Sequence, residues 1–177
     1  VHIVSLANEC KELLMVVAHG KQKLKVVCVN GNQLFAYCPD EDVAPVSYSD
    51  SEADAIVGSY LFEPNASIMK AGCFQALAAK YGVSGVGRNS HLFVSKTDVA
   101  EFPGRRFVVE AMSTMNKKEL KRTLANITKA NITTRNFPLS VAELRKRLKL
   151  KDGGDVYLFA TTVADDSHVI LVCKKAN

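Results

Sequence analysis

The chain has 177 residues, 47% of them apolar and 23% charged, with a formal net charge of +5. That composition is globular, excludes a disordered tail, and is long enough for one domain or two small ones. No run reaches the roughly eighteen apolar residues of a membrane-spanning helix, and VHIVSLANE lacks the basic region and cleavage site of a signal peptide.

The first element is a strand, Val1 to Leu6, which opens the chain without an initiator Met and so predicts a piece cut from a longer polypeptide. Asn8 can cap ECKELLMVVA, whose Leu13, Leu14, Val17 and Ala18 fit one helical face. Two β-rich runs, Lys23 to Val29 and Gln33 to Cys38, flank Asn30-Gly31-Asn32 and predict an antiparallel hairpin. Pro39 to Asp54 is rich in Asp, Glu, Ser and Pro, an exposed connection and an expected boundary. A single helix is predicted from Pro64 or Asn65 through ASIMKAGCFQALAAKY to a stop at Gly82. Strands follow at His91 to Ser95 and, after the turn at Pro103-Gly104, at Arg106 to Met112.

Asn116 can cap the helix KKELKRTLANI, with Leu120, Leu124 and Ile127 inward and Lys117, Lys118, Lys121 and Arg122 outward. A β-rich link, Ala130 to Thr134, leads to Ser140-Val-Ala-Glu143, a capping box that starts a second basic helix. There Val141, Leu144 and Leu148 face inward and Arg145, Lys146, Arg147 and Lys149 fan outward, until Asp152-Gly-Gly-Asp155 ends the helix. The strand VYLFATTV and a turn at Asp165-Asp166 into HVILVCKK close the chain.

Charge is unevenly divided. Residues 1 to 110 carry ten Lys/Arg against twelve Asp/Glu, whereas residues 111 to 177 carry thirteen against six. Between Lys117 and Lys151 eleven bases face only two acids, Glu119 and Glu143, an asymmetry that attracts a polyanion or else marks a solvated helix face. The five cysteines are odd in number and never spaced as CxxC, which predicts reduced thiols in a cytoplasmic protein; Cys28 and Cys38 could face each other across the hairpin.

No chemical motif appears. Gly85-Val-Gly87 follows a helix and Gly153-Gly154 precedes a strand, so both read as turns and not as phosphate loops. The histidines His2, His19, His91 and His168 are isolated, and neither a catalytic residue nor a metal site can be assigned. Glu63 and Asn65 lie at a helix start, where an anion or simple capping would suit. Phe102-Pro-Gly-Arg105-Arg106 and Arg135-Asn-Phe137-Pro combine an aromatic with a guanidinium, the means to stack a base and hold a phosphate, or equally a packed turn.

Taken together, NECKELL, YLFEPNASIMKAG, NSHLFVS, FPGRRF and NFPLSVAELRKRLKLKDGGDVYLFATT resemble the C-terminal half of a family of bacterial class I S-adenosylmethionine-dependent methyltransferases with ferredoxin-like and THUMP-like domains. The resemblance implies an α/β (α+β) fold. Residues 1–50 would be the end of a Rossmann-like methyltransferase sheet, 56–112 a ferredoxin-like segment, and 113–177 a THUMP-like domain. It also implies an N-terminal methyltransferase domain as partner and S-adenosylmethionine as the parent's cofactor, with none expected in this chain, which lacks the glycine-rich cofactor loop and the target-amine motif. THUMP domains bind RNA, so the expected function is RNA-substrate recognition. Charge and placement then nominate Arg135, Arg145, Lys146, Arg147 and Lys149, with Lys117, Lys121 and Arg122, for phosphate contact and Phe137 for stacking. The alternative is a structural module that buttresses the methyltransferase or makes a homodimer without nucleic acid. A stand-alone enzyme is a third reading, for which no acid/base pair can be named.

Overall fold

The computed structural model describes residues 1–20 and 22–176. Its architecture is mixed α/β, with a four-stranded and a seven-stranded sheet. The chain divides into two compact units that it visits alternately: residues 1–46, 63–82 and 99–105 form the first, and 47–62, 83–98 and 106 onward the second. Among the described residues no helix is long and apolar enough to cross a membrane.

In the first unit β1 (His2–Leu6) turns through Ala7 and Asn8 into β2 (Glu9–Leu14), its antiparallel neighbour. The expected helix after Asn8 is therefore a strand. Ala7 and Asn8 both have positive φ (50° and 61°), the geometry of a two-residue hairpin turn, and Asn8 spends its side chain on the amide of Ala66 (2.7 Å), so it does not cap a helix of its own. β3 (Val26–Asn30) runs parallel to β1 and pairs with β4 (Gln33–Tyr37) across Gly31-Asn32, the expected hairpin. The sheet order is β2-β1-β3-β4.

One face of this sheet carries Ile3, Cys28 and Phe35 in register, all buried, beneath α2 (Ala66–Ala71) and α3 (Phe74–Tyr81). These two helices replace the single predicted one, because Gly72 closes α2 in the left-handed region (φ 66°) and Cys73 begins α3. The expected ends hold: Asn65 caps α2 by accepting from the amides of Ser67 and Ile68, and Gly82 closes α3. Cys28 does not face Cys38; its register partner is Phe35 and its thiol neighbour is Cys73, whose own thiol is held protonated first by that hydrogen bond and then by burial.

The second unit is built on the seven-stranded sheet. Its strands are β5 (Tyr60–Pro64), β6 (Ser84–Gly85), β7 (Phe93–Ser95), β8 (Gly104–Thr114), β9 (Asn131–Arg135), β10 (Tyr157–Thr162) and β11 (His168–Lys175), in the order β6-β7-β5-β8-β11-β10-β9. A one-turn helix, α1 (Ala53–Ile56), precedes β5. Strand alternation builds two cores. Phe107, Val109, Phe159, Leu171 and Cys173 pack with Ile56, Leu61, Val86 and Leu92 on one face. Leu158, Ala160, Ile170 and Val172 meet Leu120 of α4 (Lys117–Thr123) and Leu144 of α5 (Val141–Leu148) on the other. Both basic helices thus lie on the same face of the sheet. α5 stops at Lys149, which caps it at φ 57°, earlier than the Asp152-Gly-Gly-Asp155 turn expected to end it.

Candidate nucleic-acid interface

Each basic helix starts on its own acid. Asn116 caps α4 by accepting from the amides of Lys118 (2.9 Å) and Glu119 (3.4 Å), while the Glu119 carboxylate turns back to accept from the Thr114 amide (3.2 Å) and hydroxyl. Ser140 and Glu143 form the expected reciprocal box, with Glu143 accepting from the Ser140 amide (2.8 Å) and hydroxyl (2.6 Å). Those hydrogen bonds hold both carboxyls below the usual carboxylate range. The two acids of the basic stretch therefore sit at helix starts, where they oppose the dipole's positive end, and the later turns carry cations.

Lys117, Lys118, Lys121 and Arg122 on α4, and Lys146, Arg147 and Lys149 on and after α5, are exposed, and among the described residues none forms an ion pair. Leu120 and Leu144 anchor the opposite sides of these helices in one core, so the cations emerge from a common layer. Such a layer can neutralise a row of phosphates through flexible, solvated side chains.

Arg145 differs from its neighbours. It is half-buried, donates to the Ala130 carbonyl (3.2 Å) and pairs with Asp152 (2.7 Å), tying α5 to the start of β9. Arg135, at the end of β9, is also half-buried; its charge, after burial, depresses the pKa of His91. Asn136 adopts positive φ (50°) and donates to the carbonyl of Arg88 (3.0 Å). Phe137 stands edge-on to His168 at 5.5 Å and leans on the helix-side core, so part of its ring is already used.

The other aromatic-guanidinium turn is structural. Phe102 is buried against Tyr81, Arg105 pairs with the buried Glu63 carboxylate, and Arg106 pairs with Asp98. At the start of α2 the amides of residues 66, 67 and 68 are satisfied by Asn8 and Asn65, so Asn65 there acts as a cap and Glu63 as an ion-pair partner. Sequence reasoning did not find Lys129 and Lys151. An isolated parallel bridge brings them side by side, both exposed, but they lie in links 22 residues apart, where no periodicity could pair them.

Residues 104–175 match the THUMP domain-like family, and residues 60–103 match a ferredoxin-like domain family. The chain thus has an α/β fold with a ferredoxin-like segment, whose α2 and α3 lie in the first unit and whose β5 to β7 lie mainly in the second, followed by a THUMP-like domain. A solved structure named "putative methyltransferase from Porphyromonas gingivalis W83" superposes with a TM-score of 0.88 at 33% identity over 99% of this chain. This chain spans 45% of that protein's length. Nearly the whole chain thus shares its fold with part of that structure, and residues 104–175 share theirs with the THUMP-like family. No curated protein matches the chain.

Proposed function

We propose that this chain is the RNA-recognition portion of a bacterial, cytoplasmic class I S-adenosylmethionine-dependent RNA methyltransferase, and that α4 and α5 hold the RNA backbone. The observation that carries this reading is the shared layer of exposed, unpaired cations on the two helices, within the segment that matches a THUMP-like family. Phosphates would be met by Lys117, Lys121, Arg122, Lys146, Arg147 and Lys149, with Arg135 beside them, while Arg145 ties α5 to the start of β9. Phe137 remains an edge on which a base can rest. The domain limits at residues 1–50, 56–112 and 113–177 belong to the same proposal.

The methyl donor would bind in another part of such a methyltransferase. In the described residues the amides opening α2 are already taken up by Asn8 and Asn65, which leaves that helix start without free donors for a phosphate. The test is binding of labelled transfer and ribosomal RNA to the wild type and to a Lys121→Ala, Arg122→Ala, Lys146→Ala, Arg147→Ala variant. A marked loss in the variant supports the reading. Equal binding, or none at low salt, removes it and leaves the structural or dimerisation module, which the incompletely covered sheet of the first unit favours.

A further inference from the structure

In the second unit β9, α5 and β10 form a strand-helix-strand unit: β9 and β10 run parallel, with Arg135 level with Thr161, and α5 carries the chain back between them. In open sheets built of such units, ligands sit outside the carboxyl ends of the strands. At that end four stretches of the second unit meet: the loop from Gly87 to His91, the link Arg135-Asn136-Phe137, Thr162 at the end of β10, and His168 at the start of β11.

One chain of hydrogen bonds joins them. Asn136 donates through Nδ2 to the Arg88 carbonyl (3.0 Å), its own carbonyl accepts from the Thr162 hydroxyl, and that hydroxyl oxygen lies 3.0 Å from His168 Nδ1. Thr162 has one proton and gives it to Asn136, so Nδ1 of the neutral His168 ring donates to Thr162 and Nε2 is the ring's open acceptor. The loop is held as firmly, by the Ser90 hydroxyl on the Gly87 carbonyl (2.8 Å) and the Val86 amide on the Leu92 carbonyl (2.9 Å). Asn89, His91 and Asn136 all adopt positive φ (58°, 53° and 50°), and left-handed backbone at non-glycine residues gathers where a site is held in a fixed shape.

The side chains on this scaffold face outward. Arg88, Asn136 and His168 are exposed, and Phe137, half-buried, stands edge-on to His168 at 5.5 Å. Arg88 makes no ion pair among the described residues. Of the two acids in the turn before His168, Asp165 and Asp166, the first turns its carboxylate onto the Ser167 amide (2.9 Å).

A guanidinium for a phosphate, two rings for a base and an amide for a base edge are the groups that hold an unpaired nucleotide, whereas a duplex offers such a corner no open base. We infer that Arg88, Asn136, Phe137 and His168 bind one unpaired nucleotide of the RNA, a contact separate from the phosphates held by α4 and α5. Lys149 closes the far end of α5, eight residues or about 12 Å along the helix, so one RNA strand reaches both. The inference rests on the RNA reading for the class of ligand, and adds to it a recognition of bases that the helix cations lack.

The test measures binding of a short unstructured single-stranded RNA, and of a blunt-ended duplex of the same length, to the 177-residue chain. His168→Ala is expected to weaken single-strand binding about fivefold or more, the loss of one stacked base, without changing its salt dependence. His168→Phe, which keeps a ring beside Phe137, should restore most of it. Arg88→Ala, at an exposed loop tip, should keep the wild-type urea midpoint, weaken single-strand binding and lower its salt slope by about 0.7. Duplex affinity should stay within about twofold in all three. Wild-type single-strand binding by both Ala variants would overturn the inference, and so would an equal loss on both RNAs, which would make the corner one more backbone contact. The Lys121→Ala, Arg122→Ala, Lys146→Ala, Arg147→Ala variant separates the two proposals. If it loses duplex binding while the corner variants bind as the wild type, only this inference fails; if it binds as the wild type while they lose the single strand, only the helix interface fails. Absence of RNA binding by the wild type removes both.

Discussion

Gly87 lies so close to Thr162 that a β-carbon on it would stand 2.2 Å from the Thr162 carbonyl oxygen and 2.8 Å from the carbonyl carbon of Val163. Both sides of that contact are backbone, so neither can swing aside. The loop after β6 therefore docks on the end of β10 only because residue 87 has no side chain. Gly87→Ala is expected to destabilise the protein by about 1–3 kcal/mol, the range for overpacking a close contact, read as a lower urea midpoint; an unchanged midpoint would mean the two segments are not apposed.

The start of α5 gives a second prediction. Ser140→Ala removes the oxygen that accepts from the Glu143 amide (3.3 Å) and a donor to its carboxylate. The expected cost is about 0.5–2 kcal/mol. The Glu143 carboxyl lies below its ordinary 4.5 in the folded protein, so its contribution is present above that pH and is lost as pH falls through the folded value. The acid limb of the stability curve should accordingly be shallower in Ser140→Ala; an identical limb would contradict the box.

His91 titrates in the opposite sense from a salt-bridged histidine. Burial, and then the charge of Arg135, lower it from 6.5, so the unfolded chain binds the proton first as the solution is acidified. Stability is fully present above pH 6.5 and declines below it. His91→Asn keeps a residue that tolerates the φ of 53° found there and should flatten the decline below pH 6.5 in urea unfolding. A decline equally steep in the variant would show that another group is responsible.

Adjacent residues on α5 should separate by role. Arg145→Ala loses the bonds to Ala130 and Asp152 and is expected to cost about 1–2 kcal/mol, the worth of a charge-assisted hydrogen bond discounted for partial exposure. Lys146→Ala and Arg147→Ala should stay within about 0.5 kcal/mol of the wild type while weakening RNA binding. Thermal melts of the three variants distinguish these outcomes, and equal melting points would deny Arg145 its structural part.

Sequence made local signals legible. Asn65, Asn116 and Ser140 cap the helices they were expected to cap, because a capping bond spans only two or three residues. What failed depended on distant partners. Glu9 to Leu14 has the residues of a helix, and only pairing with β1 makes it a strand. Gly72 sits in a periodic apolar pattern that hides its left-handed conformation. Arg145 has the same helical spacing as Lys146 and Arg147, and nothing near it in sequence reveals the Ala130 carbonyl. The candidate interface was thus readable as a charge pattern, whereas its division into supporting and exposed cations required the fold.

If α4 and α5 bind RNA through phosphates, the most direct measurement is the dependence of RNA affinity on salt. The logarithm of the binding constant should fall linearly with the logarithm of salt concentration, with a slope of about 0.7 per phosphate neutralised on single strands and about 0.9 on duplex. Replacing Lys121, Arg122, Lys146 and Arg147 by Ala should reduce both the affinity and that slope, by up to about 0.7 for each phosphate no longer neutralised on a single strand. An affinity that does not change with salt, or a slope that survives the four substitutions intact, would contradict the account.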